Sequence, residues 1–306
     1  MAGRTPLPAR DGLGPARVRI EHGASAATML DYLLERFPGS DGFWQAEMSR
    51  GHVVDQHSRV VTQSSPYRPG RILYYYRQPV PERTVPFELR VLHQDEAIVV
   101  VDKPHFLATI PRGQHITETV LVRARRQLGL DDLVPAHRLD RMTAGVLVLV
   151  ADPRWRKAYQ ELFAQRQVRK AYEAIAPHDP ALGLSRAGQG PPRTVRSRIT
   201  KQSGVMVAEE VPGEPNSETL VDLLEVHGGL ARYRLRPVTG KTHQLRLHMS
   251  SLGVPILGDT YYPVYRPSRG DDDFTDPLRL LAQSLEFTDP ITGAERRFDS
   301  SLSLRF

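Results

Sequence analysis

The carboxylate of Asp140 is the side chain best placed to carry out chemistry. It lies between Arg138 and Arg141 in the run HRLDRMTAG at 137–145, and the apolar run Val146–Val150 follows directly. An apolar run this rich in valine predicts a buried strand, which would anchor the acid at the edge of a core. Neighbouring cations keep such a carboxylate ionised. The pattern therefore suits a nucleophile or a stabiliser of positive charge on a sugar, with a purely structural Arg–Asp pair as the alternative.

Three segments agree with one known family in the same order. HRLDRMTAG resembles the HRLDxxTSG motif of the RluA-type pseudouridine synthases. Lys170, Tyr172 and Ala174 in RKAYEAIA resemble the Tyr-bearing second motif, and GKTHQLRLHMSSLGVPILGDTYY at 240–262 resembles the third. The run IVVVDKPHFLATIP, Ile98 to Pro111, is similar to the strand and turn before the first motif, although HFLATIP departs from the family pattern.

This resemblance implies an RNA isomerase that needs no cofactor and no metal. The reaction breaks the bond from uracil N1 to ribose C1′, turns the base and rejoins it through C5, without redox change or hydrolysis. Asp140 would attack C1′ or assist loss of the 2′ proton, and the resemblance does not choose between these routes. One carboxylate suffices because uracil leaves as a delocalised anion, whereas a glycosidase must protonate an alkoxide.

The resemblance also assigns roles to other residues. Arg246 would be the ionic partner of Asp140, and Tyr172 would stack on the target base. A free phenol titrates near 10, so Tyr172 is a weaker candidate for proton acceptor. Arg138 would enter the RNA stack as the uridine leaves it. The remaining predicted substrate contacts are His137, Thr143, Thr242, His243, Gln244 and Tyr262.

The third motif predicts a helix with a core stripe. Leu245, Met249 and Leu252 recur at helical spacing, and Arg246 lies at the edge of that stripe, on the same side as Thr242. His243 and His248 are five residues apart, so they cannot chelate a metal together as an i, i+4 pair would.

Composition sets outer limits on the function. The 306 residues contain 41 Lys plus Arg against 35 Asp plus Glu, a net charge of +6 that is compatible with a polyanionic partner such as RNA. The absence of cysteine excludes disulfides, thiol nucleophiles and thiolate metal sites. No apolar stretch is long enough for a membrane span or a signal core, so we expect no membrane partner, a cytoplasmic location and a monomer.

The sequence predicts two folded parts. Residues 1–16 are expected to form a disordered tail, and 17–78 a small module with helices from Ser25 to Phe37 and from Asp41 to Arg50. This module resembles the alpha-L RNA-binding fold, with RNA binding and a purely structural role both open. PVPERTVP, 79–86, predicts a stiff linker before a catalytic domain at 87–306.

For the catalytic domain, the family resemblance implies an α+β fold with a mixed, mostly antiparallel sheet flanked by helices and loops. Strands are predicted at Ala97–Val101, Val146–Val150, Ala171–Ala176 and Ala231–Leu235, helices near 116–129 and 153–166, and loops at 178–193, 208–218 and 264–277. We expect a pseudouridine synthase acting on ribosomal or transfer RNA. The rivals are a non-catalytic RNA-binding protein on the same scaffold and a hydrolase that would release free uracil.

Overall fold

The computed structural model describes residues 5–78, 81–266 and 273–306. Pro79 of the predicted linker, and Arg269, Asp271 and Asp272 of the predicted 264–277 loop, lie outside these ranges. The chain divides into two compact units. The first is formed by residues up to Glu82 together with Ala124–Asp131, and the second by Arg83–Arg123 and Asp132–Phe306.

The first unit contains a small sheet and two helices. Its elements are β1 (Ala16–Arg19), α1 (Met29–Arg36), α2 (Asp41–Ser49), β2 (Val54–Asp55) and β3 (Ile72–Tyr75), and the antiparallel sheet has the order β1-β3-β2. The first helix begins later than predicted, because Thr28 rather than Ser25 is its cap. The Thr28 hydroxyl accepts the Asp31 N–H and the Asp31 carboxylate accepts the Thr28 N–H, which is a capping box.

The segment predicted as a disordered tail contacts this unit. The Tyr76 hydroxyl donates to the Pro8 carbonyl at 2.9 Å, and the Arg10 guanidinium lies 3.6 Å from the centre of the Tyr76 ring. Ala16 already belongs to β1. The structure thus places residues 5–16 against the module instead of in a free tail, and residues 1–4 lie outside the described chain.

The second unit is built on an eleven-stranded sheet. In chain order the elements are β4 (Arg90–Gln94), β5 (Ile98–Lys103), α3 (Val120–Leu128, whose second half belongs to the first unit), β6 (Val134–Pro135), β7 (Ala144–Val150), α4 (Arg156–Ala164), β8 (Arg169–Pro177), β9 (Arg193–Thr200), β10 (Glu209–Val211), β11 (Ser217–His227), β12 (Leu230–Pro237), α5 (Gln244–Ser251), β13 (Leu280–Thr288) and β14 (Glu295–Asp299). The strand order is β10-β9-β11-β12-β8-β13-β7-β5-β4, with β14 on β13 and β6 on β7.

The sheet is mixed and mostly antiparallel, as predicted. Among the strand pairs of the described residues, only β13 and β7 run parallel. The loop predicted at 208–218 is wrong in part, because it contains β10 and the start of β11. β10 begins with two exposed glutamates and β11 with the polar residues Ser217 and Glu218, so the apolar pattern that marks a strand is missing there.

The centre of the sheet fixes the start of β7, which begins four residues after Asp140. All seven residues of β7 are buried, and all six of β5 beside it. Gly145 adopts φ +111°, and a Cβ placed there would lie 2.2 Å from the Ala282 carbonyl oxygen of β13. Only glycine allows this close approach of two backbones. The glycine of HRLDRMTAG is therefore a requirement of strand packing.

Replacing Gly145 with alanine is expected to lower the free energy of unfolding by about 2 kcal/mol or more, because the new methyl group overlaps the β13 backbone. Gly229→Ala is the matched control, since Gly229 also has a positive φ but has nothing within 4 Å of its would-be Cβ. Denaturant unfolding of both variants measures the difference. Equal losses in the two variants would show that the β7–β13 contact is unimportant.

Candidate active site

The Asp140 carboxylate lies in the turn between β6 and β7. The Thr143 N–H donates to the Asp140 carbonyl at 3.1 Å, which closes the turn directly before β7. The Asp140 side chain is 37% exposed, so it is less buried than the sequence suggested. A half-exposed carboxylate on a rigid turn can reach a ligand from solvent.

Two side chains hold the backbone on either side of Asp140. Thr109 donates its hydroxyl proton to the Leu139 carbonyl at 2.7 Å and accepts the Leu139 N–H at 3.2 Å. The Lys103 ammonium donates to the Arg141 carbonyl at 3.0 Å. The position of the carboxylate is therefore determined from both neighbours in the chain.

Lys103 itself is fully buried, which is unusual for a lysine. Its ammonium also donates to the carbonyls of Pro104 and Leu107, at 3.0 and 2.7 Å, so its three protons face three acceptors. Burial lowers the pKa of Lys103 to about 7, and the nearby Asp140 charge opposes that shift. This residue ties the Asp140 turn to the segment after β5 through three backbone carbonyls.

The segment HFLATIP, which departs from the family pattern, supplies a further anchor. The His105 ring donates from Nδ1 to the Met142 carbonyl at 2.7 Å. Sequence reasoning missed Lys103, His105 and Thr109, because each acts on backbone carbonyls from a distant part of the chain. A lysine ending a strand of buried residues was the one available signal.

Arg246 lies near the Asp140 carboxylate, but its direct partner is a different acid. Its Nε and Nη2 donate to the two oxygens of Asp259 at 2.8 and 2.6 Å, while its Nη1 is 4.0 Å from the Asp140 carboxylate. Burial acts to lower the pKa of Arg246, but the hydrogen bonds and charge of Asp259 outweigh it and leave that pKa raised. The predicted pair is thus a triad, with Asp259 as the closer acid.

Asp259 is fixed by its own turn. It is almost completely buried, and its Oδ1 accepts the backbone N–H groups of Tyr261 and Tyr262 at 2.8 and 3.1 Å. Gly258 before it has φ +74°, and a Cβ there would lie 2.4 Å from the Pro277 carbonyl oxygen. The GDTYY run therefore shapes a turn that presents a carboxylate to a buried guanidinium.

The helix predicted in the third motif is present as α5, but it begins at Gln244, so the prediction that Thr242 lies on it beside Arg246 is wrong. Thr242 is exposed and lies before the helix, and His243 at the cap adopts the left-handed conformation, with φ 55°. Residues 244–249 are all buried, so the helix has no solvent-facing edge over this stretch. Arg246 reaches its partners from the interior of the unit, not from a border position.

Gln244 was predicted to contact the substrate, but its amide is fully used within the protein. Its oxygen accepts from the Thr239 hydroxyl and the Lys241 N–H, and its NH₂ donates to the Glu218 carbonyl and the Thr219 hydroxyl. A side-chain amide has two donors and two acceptor sites, so none is left for RNA. The structure gives Gln244 the role of holding the segment that leads into α5.

Tyr172 lies on β8 and packs against the core cluster that contains Leu235 and Met249. Burial, together with the Asp140 charge, raises the pKa of Tyr172. The phenol therefore keeps its proton at neutral pH. Its ring is available as a flat surface, whereas its oxygen is a poor acceptor for a proton.

Four other predicted contacts, Arg138, His243, Tyr262 and Thr143, lie in the Asp140 turn or around His243. Arg138 is exposed beside Asp140, and His243 Nε2 is 3.9 Å from the Asp140 carboxylate. Tyr262 lies behind His243, to which it is hydrogen-bonded at 2.9 Å, and burial raises its pKa to about 12. Thr143 is buried in the Asp140 turn.

His137 points away from this group. Its ring stacks on Phe163 at 4.3 Å and accepts the Val148 N–H at 3.2 Å. Burial, with a smaller effect of the Lys170 charge, lowers the pKa of His137 to about 3. The structure thus gives His137 a packing role in place of the predicted substrate contact.

Comparison with known proteins identifies the family. A family model described as RNA pseudouridylate synthase matches residues 97–251, which is half of the chain. An RNA pseudouridine synthase of Synechocystis sp. is 30% identical over 236 residues, covering 76% of this chain and 79% of that protein. The dual-specificity RNA pseudouridine synthase RluA of Haemophilus influenzae is 31% identical, covering 69% of this chain and 92% of its own. The chain belongs to the RluA-type pseudouridine synthase family.

A solved structure agrees with this assignment. Human RNA pseudouridylate synthase domain containing 4 is 30% identical, has a TM-score of 0.52, and covers 70% of this chain and 88% of its own. The protein is accordingly an isomerase that acts on RNA as a pseudouridine synthase. No helix within the described ranges has the length and apolar character needed to cross a bilayer.

The buried neutral His137 predicts a decrease in stability on acidification. The pKa of His137 in the folded protein lies below its unfolded value of about 6.5, so the unfolded chain binds more protons between pH 6.5 and 3. Lowering the pH through this range therefore stabilises the unfolded state relative to the folded state. The free energy of unfolding should fall by about 1.4 kcal/mol per pH unit from this group across that window. His137→Asn keeps an acceptor for the Val148 N–H but does not titrate, so its slope should be flatter. Parallel slopes in denaturant unfolding at pH 6.5 and 5 would contradict this prediction.

Proposed function

We propose that this synthase converts a uridine in structured RNA, ribosomal or transfer, to pseudouridine with Asp140 acting on the ribose. The observation that supports this most strongly is the Asp140 carboxylate itself. It is 37% exposed on a turn whose backbone is held on both sides, and Arg246 lies 4.0 Å from it. A carboxylate fixed in this way is pre-positioned for a sugar carbon.

Asp140 would act in one of two ways. It attacks C1′ to form a covalent sugar intermediate, or it takes the 2′ proton as uracil leaves. Both routes use the negative charge of the Asp140 carboxylate, and the Arg246 guanidinium lies 4.0 Å from it. Because Arg246 is held by Asp259, its charge is in place before RNA arrives.

Asp140→Asn is expected to abolish pseudouridine formation, by about a thousandfold or more, because the amide cannot supply the negative charge. RNA affinity should change little, since the substitution leaves phosphate contacts intact. Tritium release from transcripts with uridine labelled at C5 measures the reaction, and filter binding measures affinity. Asp131→Asn, at an exposed acid, is the control. Product formation near the wild-type rate in Asp140→Asn would exclude this role for the residue.

The same assay separates the rival functions. A non-catalytic RNA-binding protein would release no tritium at all with the wild-type chain. A hydrolase would liberate free uracil, which chromatography of the products would detect. Mapping pseudouridines across total RNA with and without the gene would identify the RNA, and the absence of any lost site in ribosomal or transfer RNA would contradict the proposed substrate.

We also propose that the target uridine leaves its stack to reach Asp140. Arg138 is exposed two residues before Asp140 and is well placed to fill the space that the base vacates. Tyr172 offers the ring on which the displaced base would stack, a contact worth about 1–3 kcal/mol per base. A planar cation in the vacated space recovers part of the cost of unstacking.

Arg138→Ala should therefore slow the reaction about tenfold for a uridine within a paired stem, because unstacking costs a few kcal/mol and the compensation is lost. A uridine in an unpaired, unstacked strand should be affected much less. Single-turnover rates on matched paired and unpaired RNAs measure this ratio. An equal loss on both RNAs would indicate a phosphate contact or a brace for the loop instead.

A further inference from the structure

We propose that His243, through Nε2, accepts the proton that leaves uracil C5, so that it serves as the general base of the isomerisation. This inference rests on the proposed function of Asp140. The family resemblance pointed to Tyr172 for this step, and His243 was predicted only as a substrate contact. The proposal is based on the hydrogen bonds of the His243 imidazole.

The tautomer of His243 follows from its partner, Tyr262. The Tyr262 hydroxyl donates to the Ala208 carbonyl at 2.8 Å, accepts the Ala208 N–H at 2.9 Å, and lies 2.9 Å from His243 Nδ1. A hydroxyl has one proton, and the carbonyl can only accept. The Tyr262 oxygen must therefore accept from His243, so Nδ1 carries the hydrogen and Nε2 keeps its lone pair.

That lone pair points to the reaction centre. His243 Nε2 is 3.9 Å from the Asp140 carboxylate oxygen, and the imidazole is almost completely buried. A substrate atom that approaches one of these two acceptors would also lie within reach of the other. A proton arriving on Nε2 would form an imidazolium directly beside a carboxylate, which that carboxylate stabilises.

The charges around the imidazole keep it neutral before the reaction. Burial lowers the pKa of His243, Asp140 and Asp259 oppose this, and Arg246 and Lys201 act with it. The groups that face the ring are Asp140, Arg246, Asp259, Lys201, Tyr261 and Tyr262. A neutral histidine is a competent base at neutral pH.

The other groups near Asp140 are poorer acceptors. The raised pKa of Tyr172 keeps its phenol protonated, and Arg246 is permanently charged. The protons of the Lys103 ammonium face three backbone carbonyls. Among the described residues around the Asp140 carboxylate, His243 is the neutral side chain with a free lone pair.

The isomerisation conserves protons and electrons when His243 acts as the base. After the N1–C1′ bond breaks and the base turns, a pair of π electrons of the uracil forms the new C5–C1′ bond. In the covalent route C1′ gives up its bond to the Asp140 carboxylate, and in the other route C2′ takes its proton back from Asp140. The C5–H bond then breaks, its electrons restore the ring double bond, and the proton goes to His243 Nε2. The imidazolium returns that proton to water, and N1 takes one from water, so the sum is an isomerisation. Because C5 is bonded to C1′ at this stage, its proton lies within a few bonds of the carbon on which Asp140 acts.

His243→Gly with added imidazole is the decisive test. Glycine accepts φ 55° without strain, and the space left by the ring can admit a free imidazole. Without imidazole we expect tritium release from C5-labelled uridine to fall about a hundredfold, the usual contribution of a general base. Added imidazoles should restore the rate in the order of their pKa values, and the limb of the pH profile that follows His243 should disappear. Asp140→Asn with imidazole is the control and should stay inactive.

A second variant, His243→Asn, keeps the proposal testable if His243→Gly does not fold. Asn tolerates the left-handed conformation, so His243→Asn should fold, bind RNA and react slowly, with an isotope effect on C5 deuteration that the wild-type protein lacks. The proposal is overturned if either variant reacts near the wild-type rate, if the folded His243→Gly protein gains nothing from imidazoles, or if His243→Asn is slow without an isotope effect. Absence of tritium release from the wild-type protein would instead mean that the proposed function itself fails.

Discussion

The site depends on one buried ion pair. Arg246 and Asp259 are both almost inaccessible to water and meet through two parallel hydrogen bonds, so removing either partner would leave an unpaired charge inside the unit. Breaking such a pair typically costs about 3–5 kcal/mol. The fork of the guanidinium uses two nitrogens for Asp259 and leaves the third, Nη1, on the side of Asp140. The same pair therefore ties α5 to the 258–262 turn and sets the charge beside the reactive carboxylate.

The Asp140 turn is held from an independent direction. Lys103, His105 and Thr109 bind the carbonyls on both sides of Asp140, and all three come from the end of β5 or the segment after it. Beyond the turn, the close approach at Gly145 locks β7 onto β13. The carboxylate can thus be partly exposed to solvent without being mobile, because its backbone has little freedom. This arrangement reconciles access for a large substrate with the precise placement that catalysis requires.

Burial has opposite consequences for the phenols and for the imidazole near Asp140. The phenols of Tyr172 and Tyr262 have raised pKa values and remain neutral, so one offers a ring surface and the other a fixed hydroxyl. The pKa of His243 is lowered, and it too remains neutral, but neutrality gives an imidazole a free lone pair while it gives a phenol a bound proton. The same desolvation therefore makes one group a base and prevents the others from being one.

The sequence alone determined the reaction class and predicted Asp140 as the central acid. The three ordered motifs indicated the family, the run Val146–Val150 predicted the central strand, and the family resemblance implied a mixed, mostly antiparallel sheet. These features are local, because periodicity and motif spacing are properties of neighbouring residues. Tertiary structure decided the rest: that Arg246 binds Asp259 first, that Gln244 is internally satisfied, and that Lys103 lies beneath the Asp140 turn. Each of these contacts joins residues brought together only by folding, and hydrogen bonds and charges act over a few ångströms of space, not along the chain.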